Sequence, residues 1–244
     1  MSAHPELSAP VALVTGATSG IGREVARKLA ADGFAVLVHG RDATRGAAVV
    51  KEITASGGQA RFIAADLIEL SGIERLADAA GEVDVLVNNA GFSWFGPTAD
   101  LAPDTFDQLI AANVRSAYYL VAAIAPRMAK RGTGSIINLG SMAGQIGLAG
   151  SAAYSATKAA LASLTRSWAA EFSPQGVRVN TIASGPAYTG GAAPERIEAL
   201  GGTTLLARAA QPAEIAAVVA FLASQKAGYI TGAVIAADGG RTAI

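Results

Sequence analysis

The feature that most restricts how this chain can fold lies near its start. A short apolar run, Val11–Thr15, passes directly into Gly16-Ala-Thr-Ser-Gly20-Ile-Gly22. A helix-forming stretch from about Ile21 to Ala31 follows, and then a second apolar run, Ala35–Val38. Strand, glycine loop, helix and strand in that order make a βαβ unit of the dinucleotide-binding kind. The glycine spacing is GxxxGxG rather than GxGxxG. The physics is shared: glycines let the backbone turn tightly and approach a pyrophosphate, and the helix N-terminus offers free N–H groups and a positive dipole end. A glycine turn alone is often only structural; here it follows a buried strand and opens a helix.

The end of the second strand bears on which dinucleotide fits. An acid there would bind adenosine ribose hydroxyls. This chain has Gly40 and then Arg41, and a guanidinium suits a 2′-phosphate. That favours NADP(H) over NAD(H). Asp42 remains a ribose ligand if the strand runs further, and both charges could instead be a solvated turn.

Strands and helices alternate onwards. A helix over Ala43–Ser56 closes at Gly57-Gly58, a strand over Ala60–Ala64 ends at Asp66, and another helix starts near Leu70. Asp66 fits either an adenine amino group or the cap of that helix. Asp84–Val87 reads as a fourth strand, running into Asn88-Asn89-Ala90-Gly91. Phe92-Ser-Trp94-Phe95-Gly-Pro97 is the most aromatic stretch; it suits a pocket wall, ordinary core or an oligomer contact. Pro103 to about Met128 reads as one long helix, and Asn113 on it is either structural or part of a polar relay, since buried amides need partners. Ser135–Leu139 is a fifth strand ended by Gly140-Ser141, and Val177–Ile182 a sixth ended by Ser184-Gly185-Pro186. Glycine pairs at 190–191 and 201–202 flank a short helical run, the pattern of a mobile lid. A helix over Pro212–Ala223 and a strand over Ala233–Ala236 complete the series. The expectation is an α/β fold: one Rossmann-like, doubly wound sheet of seven mostly parallel strands with helices on both faces. Residues 1–10 read as a flexible tail and 11–244 as a single dinucleotide-binding and catalytic domain.

Tyr154-Ser-Ala-Thr-Lys158 opens an alanine-rich run free of proline until Pro174. On a helix, positions four apart share a face, so Tyr154 and Lys158 are neighbours. A cation beside a phenol lowers its pKa from about 10 and fits it for general acid–base work. A surface Tyr/Lys pair is the ordinary alternative.

Composition excludes several classes. Among 244 residues, 19 basic side chains balance 19 acidic ones, so there is no electrostatic footprint for nucleic acid. The chain has no cysteine, hence no disulfide or thiol nucleophile. Its two histidines, His4 and His39, and its scattered acids suggest no metal site. No apolar run reaches membrane-spanning length and no signal peptide is evident, so a soluble, cytoplasmic protein is expected.

Taken together, Thr15–Gly22, Asp66, Asn88-Asn-Ala-Gly91, Asn113, Ser141, Tyr154-x-x-x-Lys158 and Arg208-Ala-Ala-Gln-Pro-Ala-Glu-Ile215 resemble the short-chain dehydrogenase/reductase family in its single-domain form. The resemblance runs from about Val11 to Gly240. It implies a nicotinamide cofactor and catalysis by Asn113, Ser141, Tyr154 and Lys158. Tyr154 would give a proton to a ketone oxygen, with Ser141 holding that oxygen. Lys158 would lower the Tyr154 pKa and hold the ribose, and Asn113 would order a relay water. Cofactor contacts are implied for Gly16, Ser19, Gly20, Ile21, Gly22, Asp66, Leu67, Asn89, Ala90 and Gly91, and for Gly185 and Thr189 over the nicotinamide. Trp94, Phe95, Ser141 and Tyr188 are expected around the substrate. Two departures stand out. Ser184 replaces the usual proline, which should loosen that backbone, and Ser19 replaces a common basic residue of the glycine loop, which should temper NADP preference. The substrate expected is a small carbonyl compound or alcohol, or an acyl thioester as in 3-oxoacyl reductases. A homotetramer or homodimer through the long helices is expected, and a dinucleotide-binding sensor without turnover is the non-enzyme alternative.

Overall fold

The computed structural model describes residues 9–191 and 193–244. Most of the expected tail lies outside the described residues, but Pro10 already joins the sheet, its carbonyl accepting from the Ala35 N–H at 2.9 Å. Seven strands, β1 (Val11–Val14), β2 (Ala35–Gly40), β3 (Gln59–Ala64), β4 (Val85–Asn88), β5 (Gly134–Ser141), β6 (Val177–Ser184) and β7 (Val234–Ala237), form one sheet ordered 3-2-1-4-5-6-7. Every pairing is parallel. Between them run α1 (Gly20–Ala31), α2 (Ala43–Ala55), α3 (Leu70–Ala80), α4 (Pro103–Ile110), α5 (Ser116–Arg131), α6 (Ala152–Phe172), α7 (Pro194–Gly201) and α8 (Pro212–Ala223).

The central strands read as unbroken apolar runs because both faces are covered. Their two-residue period divides the core in two. Ala12, Val14, Val36 and Val38 meet Val25 and Leu29 of α1, Val49 of α2 and Val219 of α8. Leu13, Leu37 and Leu86 point the other way, onto Leu76 of α3, Leu120 and Ile124 of α5 and Trp168 of α6. Leu13 stands opposite Leu37 on one side and Leu86 on the other. Leu86 is fully buried, so its truncation to alanine would cost about 2–5 kcal/mol. A polar chain crosses this core: the Asn88 amide donates to Asn138 Oδ1 at 2.9 Å, Asn138 donates to Thr165 at 2.8 Å, and the Thr165 and Thr181 hydroxyls lie 2.6 Å apart.

Strand order reverses between β1 and β4, and the crevice beyond their carboxyl ends is where an open α/β sheet receives a ligand. Two expectations need correction. The stretch from Pro103 is not one α-helix: a π turn, Ala111–Arg115, separates α4 from α5 and contains Asn113. Further, Pro103–Arg131 as a whole is long and apolar enough to pass for a membrane span, contrary to the sequence reading. Half of its most apolar stretch is buried, with Leu120, Val121, Ile124, Ala125 and Met128 in the core.

Candidate active site

The glycine loop is locked from three sides. Gly16 and Gly20 adopt φ of 62° and 52°, a left-handed conformation that side chains disfavour. A Cβ on Gly22 would lie 2.3 Å from the Gly16 carbonyl oxygen, so only glycine permits this approach. The Asn89 amide donates to the Thr15 and Gly16 carbonyls at 2.8 and 3.1 Å. The Thr15 hydroxyl accepts from the Asn89 and Ala90 N–H groups. His39 holds the loop from β2. Its Nδ1 accepts from the Gly16 N–H at 3.2 Å, so Nε2 carries the proton and donates to the Ala65 carbonyl at 3.1 Å. Burial drives the His39 pKa down to about 4, with the Ala65 bond acting in the other direction. Ser19 is the N-cap of α1 yet makes no side-chain cap bond, and the first turn has no acid. Helix N–H groups and a hydroxyl are thus available to an anion.

A cavity of about 790 Å³ runs from this loop across the sheet edge. At the β2 end it meets Arg41, which is largely exposed and 3.9 Å from Asp66. Asp66 does not cap α3, whose N-cap is Glu69; it accepts from the Ile68 N–H at 3.0 Å instead. Asp42 is withdrawn from ligand duty as the N-cap of α2, bonded to Arg45 at both N and Nε. Arg45 also lines the cavity, a second guanidinium that the sequence reading missed. Its signal was present, one helical turn beyond Asp42. Among the described residues the cavity wall holds Arg41, Arg45, Lys158 and Arg196 against a single acid, Asp66, a balance suited to an anionic ligand.

Beyond β4 and β5 the catalytic candidates converge. Ser141 ends β5, Tyr154 is in the first turn of α6, and Lys158 is one turn further. Lys158 is buried and donates to the Leu139 carbonyl at 2.8 Å. That is its one hydrogen bond among the described residues, leaving two ammonium N–H groups open on the cavity wall. Burial lowers its pKa to about 8. The ammonium lies 5.7 Å from the Tyr154 ring centroid. The expected lowering of the Tyr154 pKa is not what the structure gives. Burial raises it, and hydrogen bonding to Ser141 pulls only partly back. The phenol therefore stays protonated at neutral pH.

Asn113 is buried, but its amide is a strut. Its oxygen accepts from the Phe92 N–H at 2.9 Å, and its nitrogen donates to the Phe92 carbonyl at 2.9 Å and to Thr157 at 3.1 Å. A Cβ on Gly91 would fall 2.4 Å from that oxygen. Asn113 is absent from the cavity wall, so the side chain expected to order a water is already engaged.

The remaining candidates divide. Gly16, Ser19, Gly20, Ile21, Gly22, Leu67, Asn89, Ala90, Gly91, Gly185 and Thr189 line the cavity, as do Phe95 and Ser141. Thr189 packs over Gly20. Trp94 and Tyr188 do not reach the wall. Trp94 folds back over Gly96, and the Tyr188 N–H is tied to the Ala210 carbonyl at 3.1 Å. Phe95 takes the place expected of Trp94, its ring 5.6 Å from that of Tyr154. Ser184 does not loosen its segment: it pairs with Ala237 of β7, and the next N–H, of Gly185, reaches the Ala237 carbonyl at 3.0 Å. From α7, the short run between the two glycine pairs, Arg196, Ile197 and Leu200 line the cavity, although the sequence reading named none of the three.

A glycine loop at the switch point of a parallel sheet thus shares one cavity with a Tyr/Lys/Ser cluster. The chain belongs to the short-chain dehydrogenase family, whose model matches residues 10–199, and it is an oxidoreductase of that family. It is 38% identical to the 3-oxoacyl-[acyl-carrier-protein] reductase of Staphylococcus aureus, over 94% of this chain and 96% of that protein. Among solved structures it is similar to a short chain dehydrogenase/reductase family protein, with a TM-score of 0.90 and 48% identity over 98% of this chain and all of the other. An angucycline C-6 ketoreductase with bound NADP superposes with a TM-score of 0.90 at 33% identity, over 96% of each chain.

Proposed function

We propose that this protein interconverts a ketone and a secondary alcohol with NADP(H) as hydride carrier and Tyr154 as general acid/base. The observation that carries the reading is the pairing of a protonated, half-buried Tyr154 with Ser141 and an under-bonded Lys158 on one cavity wall. The bound nicotinamide would supply or take the hydride. Gly16–Gly22 would hold the pyrophosphate, Arg41 and Arg45 the 2′-phosphate, and Lys158 the nicotinamide ribose. Ser141 would hydrogen-bond the ketone oxygen while Tyr154 donates its proton to it. Lys158, still largely protonated at neutral pH, would stabilise the phenolate as it forms, a contribution of several powers of ten together with general acid catalysis. Asn113 would act by fixing the Phe92 loop against α6, with any relay water held by backbone. NADP preference is supported by the two cavity guanidiniums and by the NADP-bound ketoreductase neighbour.

The likeness to the Staphylococcus aureus enzyme favours a second reading, reduction of a 3-oxoacyl thioester on a carrier protein. NADPH consumption measured with an acetoacetyl thioester beside a panel of simple ketones separates the two. Turnover of the thioester alone would establish the second reading, and no turnover of any carbonyl would refute both. We also propose self-association through the exposed Phe106, Tyr118 and Tyr119 of the long helical segment, into a dimer or tetramer. A monomeric mass by light scattering would refute it.

A further inference from the structure

The first turn of α7 places the Arg196 side chain on the cavity wall. Its guanidinium carbon lies 4.3 Å from the Phe95 ring centroid, and the Phe95 ring is 5.6 Å from that of Tyr154. All three side chains line one cavity, so the guanidinium sits within about 10 Å of the ring that bears the proton donor. Among the described residues Arg196 forms no ion pair, and its guanidinium makes no hydrogen bond. The single acid on the cavity wall, Asp66, lies at the far end beyond β2 and already faces Arg41.

Phe95, Leu148, Ile197 and Leu200 line the same cavity, alongside the uncharged polar Ser93 and Gln108. An uncharged ketone would be served by those side chains alone. A guanidinium over an aromatic face is partly stripped of water, while the edge of its planar fork keeps N–H groups free for two parallel bonds to a carboxylate. The geometry points to Arg196 as the substrate-selecting residue, holding the carboxylate of a short oxo acid whose ketone faces Tyr154 and Ser141. This deepens the carbonyl-reduction reading and rests on it. It also bears on the thioester alternative. The phosphate of a carrier-bound thioester lies a whole pantetheine arm from its ketone, too far for a guanidinium this near Tyr154.

The test compares 4-oxopentanoate with its methyl ester in NADPH-dependent turnover, for the wild type, Arg196→Met and Arg196→Lys. Wild-type kcat/KM should favour the oxo acid by at least about tenfold, the effect of a charge-assisted pair. Arg196→Met should bring the ratio near one through KM, and Arg196→Lys should restore part of it. An equal ratio in the wild type, or a preference that survives Arg196→Met, overturns the assignment. Titrating 4-oxopentanoate into the NADPH complex, followed by nicotinamide fluorescence, reads binding without turnover. Equal affinities for wild type and Arg196→Met overturn the assignment there too. Failure of both ketones to turn over, with the oxo acid still bound in an Arg196-dependent way, instead counts against carbonyl reduction.

Discussion

His39 ties acid stability to the glycine loop, and the effect can be sized. The ring is 3% exposed and holds its pKa at about 4, against 6.5 when free. Between those values the unfolded chain binds a proton that the folded chain refuses. Stability from this group is therefore intact above pH 6.5 and lost as pH falls towards 4. Going from pH 7.5 to pH 5, the linkage amounts to about 2 kcal/mol, or roughly 4–8 °C in Tm for a chain of this size. His39→Gln supplies an acceptor for the Gly16 N–H and a donor for the Ala65 carbonyl without titrating in this range. Urea midpoints and melting temperatures of both proteins at pH 7.5 and pH 5 give the comparison. The variant should lose about 2 kcal/mol less than the wild type over that interval. Parallel losses would refute a His39 buried neutral in the fold. Should the variant unfold at pH 7.5, the wild-type histidine can be titrated by NMR, where a pKa near 6.5 delivers the same refutation.

Other outcomes follow from the site. Tyr154→Phe should reduce kcat by about 10²–10⁴ while NADPH still binds; retained turnover in steady-state assays would remove Tyr154 as proton donor. Arg41→Ala should weaken NADPH by about ten- to a hundredfold and leave NADH nearly untouched, as read by calorimetry, with Arg45→Ala acting in the same sense. Equal losses for both cofactors would mean that neither guanidinium reads the 2′-phosphate. Lys158 has its pKa lowered to about 8, so the unfolded chain holds more protons between pH 8 and 10.5 and stability rises with pH there. Between pH 7 and 9.5 the wild type should therefore gain about 2 kcal/mol relative to Lys158→Met in urea unfolding; no relative gain would show an ammonium that stays solvated.

What the sequence made legible was short-range. Gly16, Gly20 and Gly22 sit within one turn of chain, and Tyr154 and Lys158 within one turn of helix, so spacing alone brings each set together. The seven-stranded, doubly wound sheet followed from apolar runs separated by helices, whereas its strand order is set by pairings distant in the chain. Other features depended on partners distant in the chain. The π turn at Asn113 is anchored by Phe92 and Thr157, neither of which leaves a trace in residues 111–115. The Tyr154 pKa moves against expectation because burial by surrounding elements outweighs the hydrogen bond with Ser141. Phe95 rather than Trp94 faces the cavity because a loop sets which ring turns inwards, helped by the Gly96 N–H bonding the Gly150 carbonyl at 2.9 Å. Arg196 enters from a helix of eight residues, too short for its pattern to mark which side chains turn inwards.

The π turn also makes the long helical segment intolerant of changes in length. An α-helix turns about 100° per residue, and a π turn accommodates one residue more than an α turn. Deleting a single residue from Ala111–Arg115 would let the ladder close as ordinary α-helix and rotate α4 by about 100° against α5. Leu109, fully buried, would swing out of the core, and the Asn113 amide would leave Phe92 and Thr157. Surface loops can gain or lose residues at small cost, but at this turn the count itself is information: one residue sets the phase between α5 and the Phe92 loop.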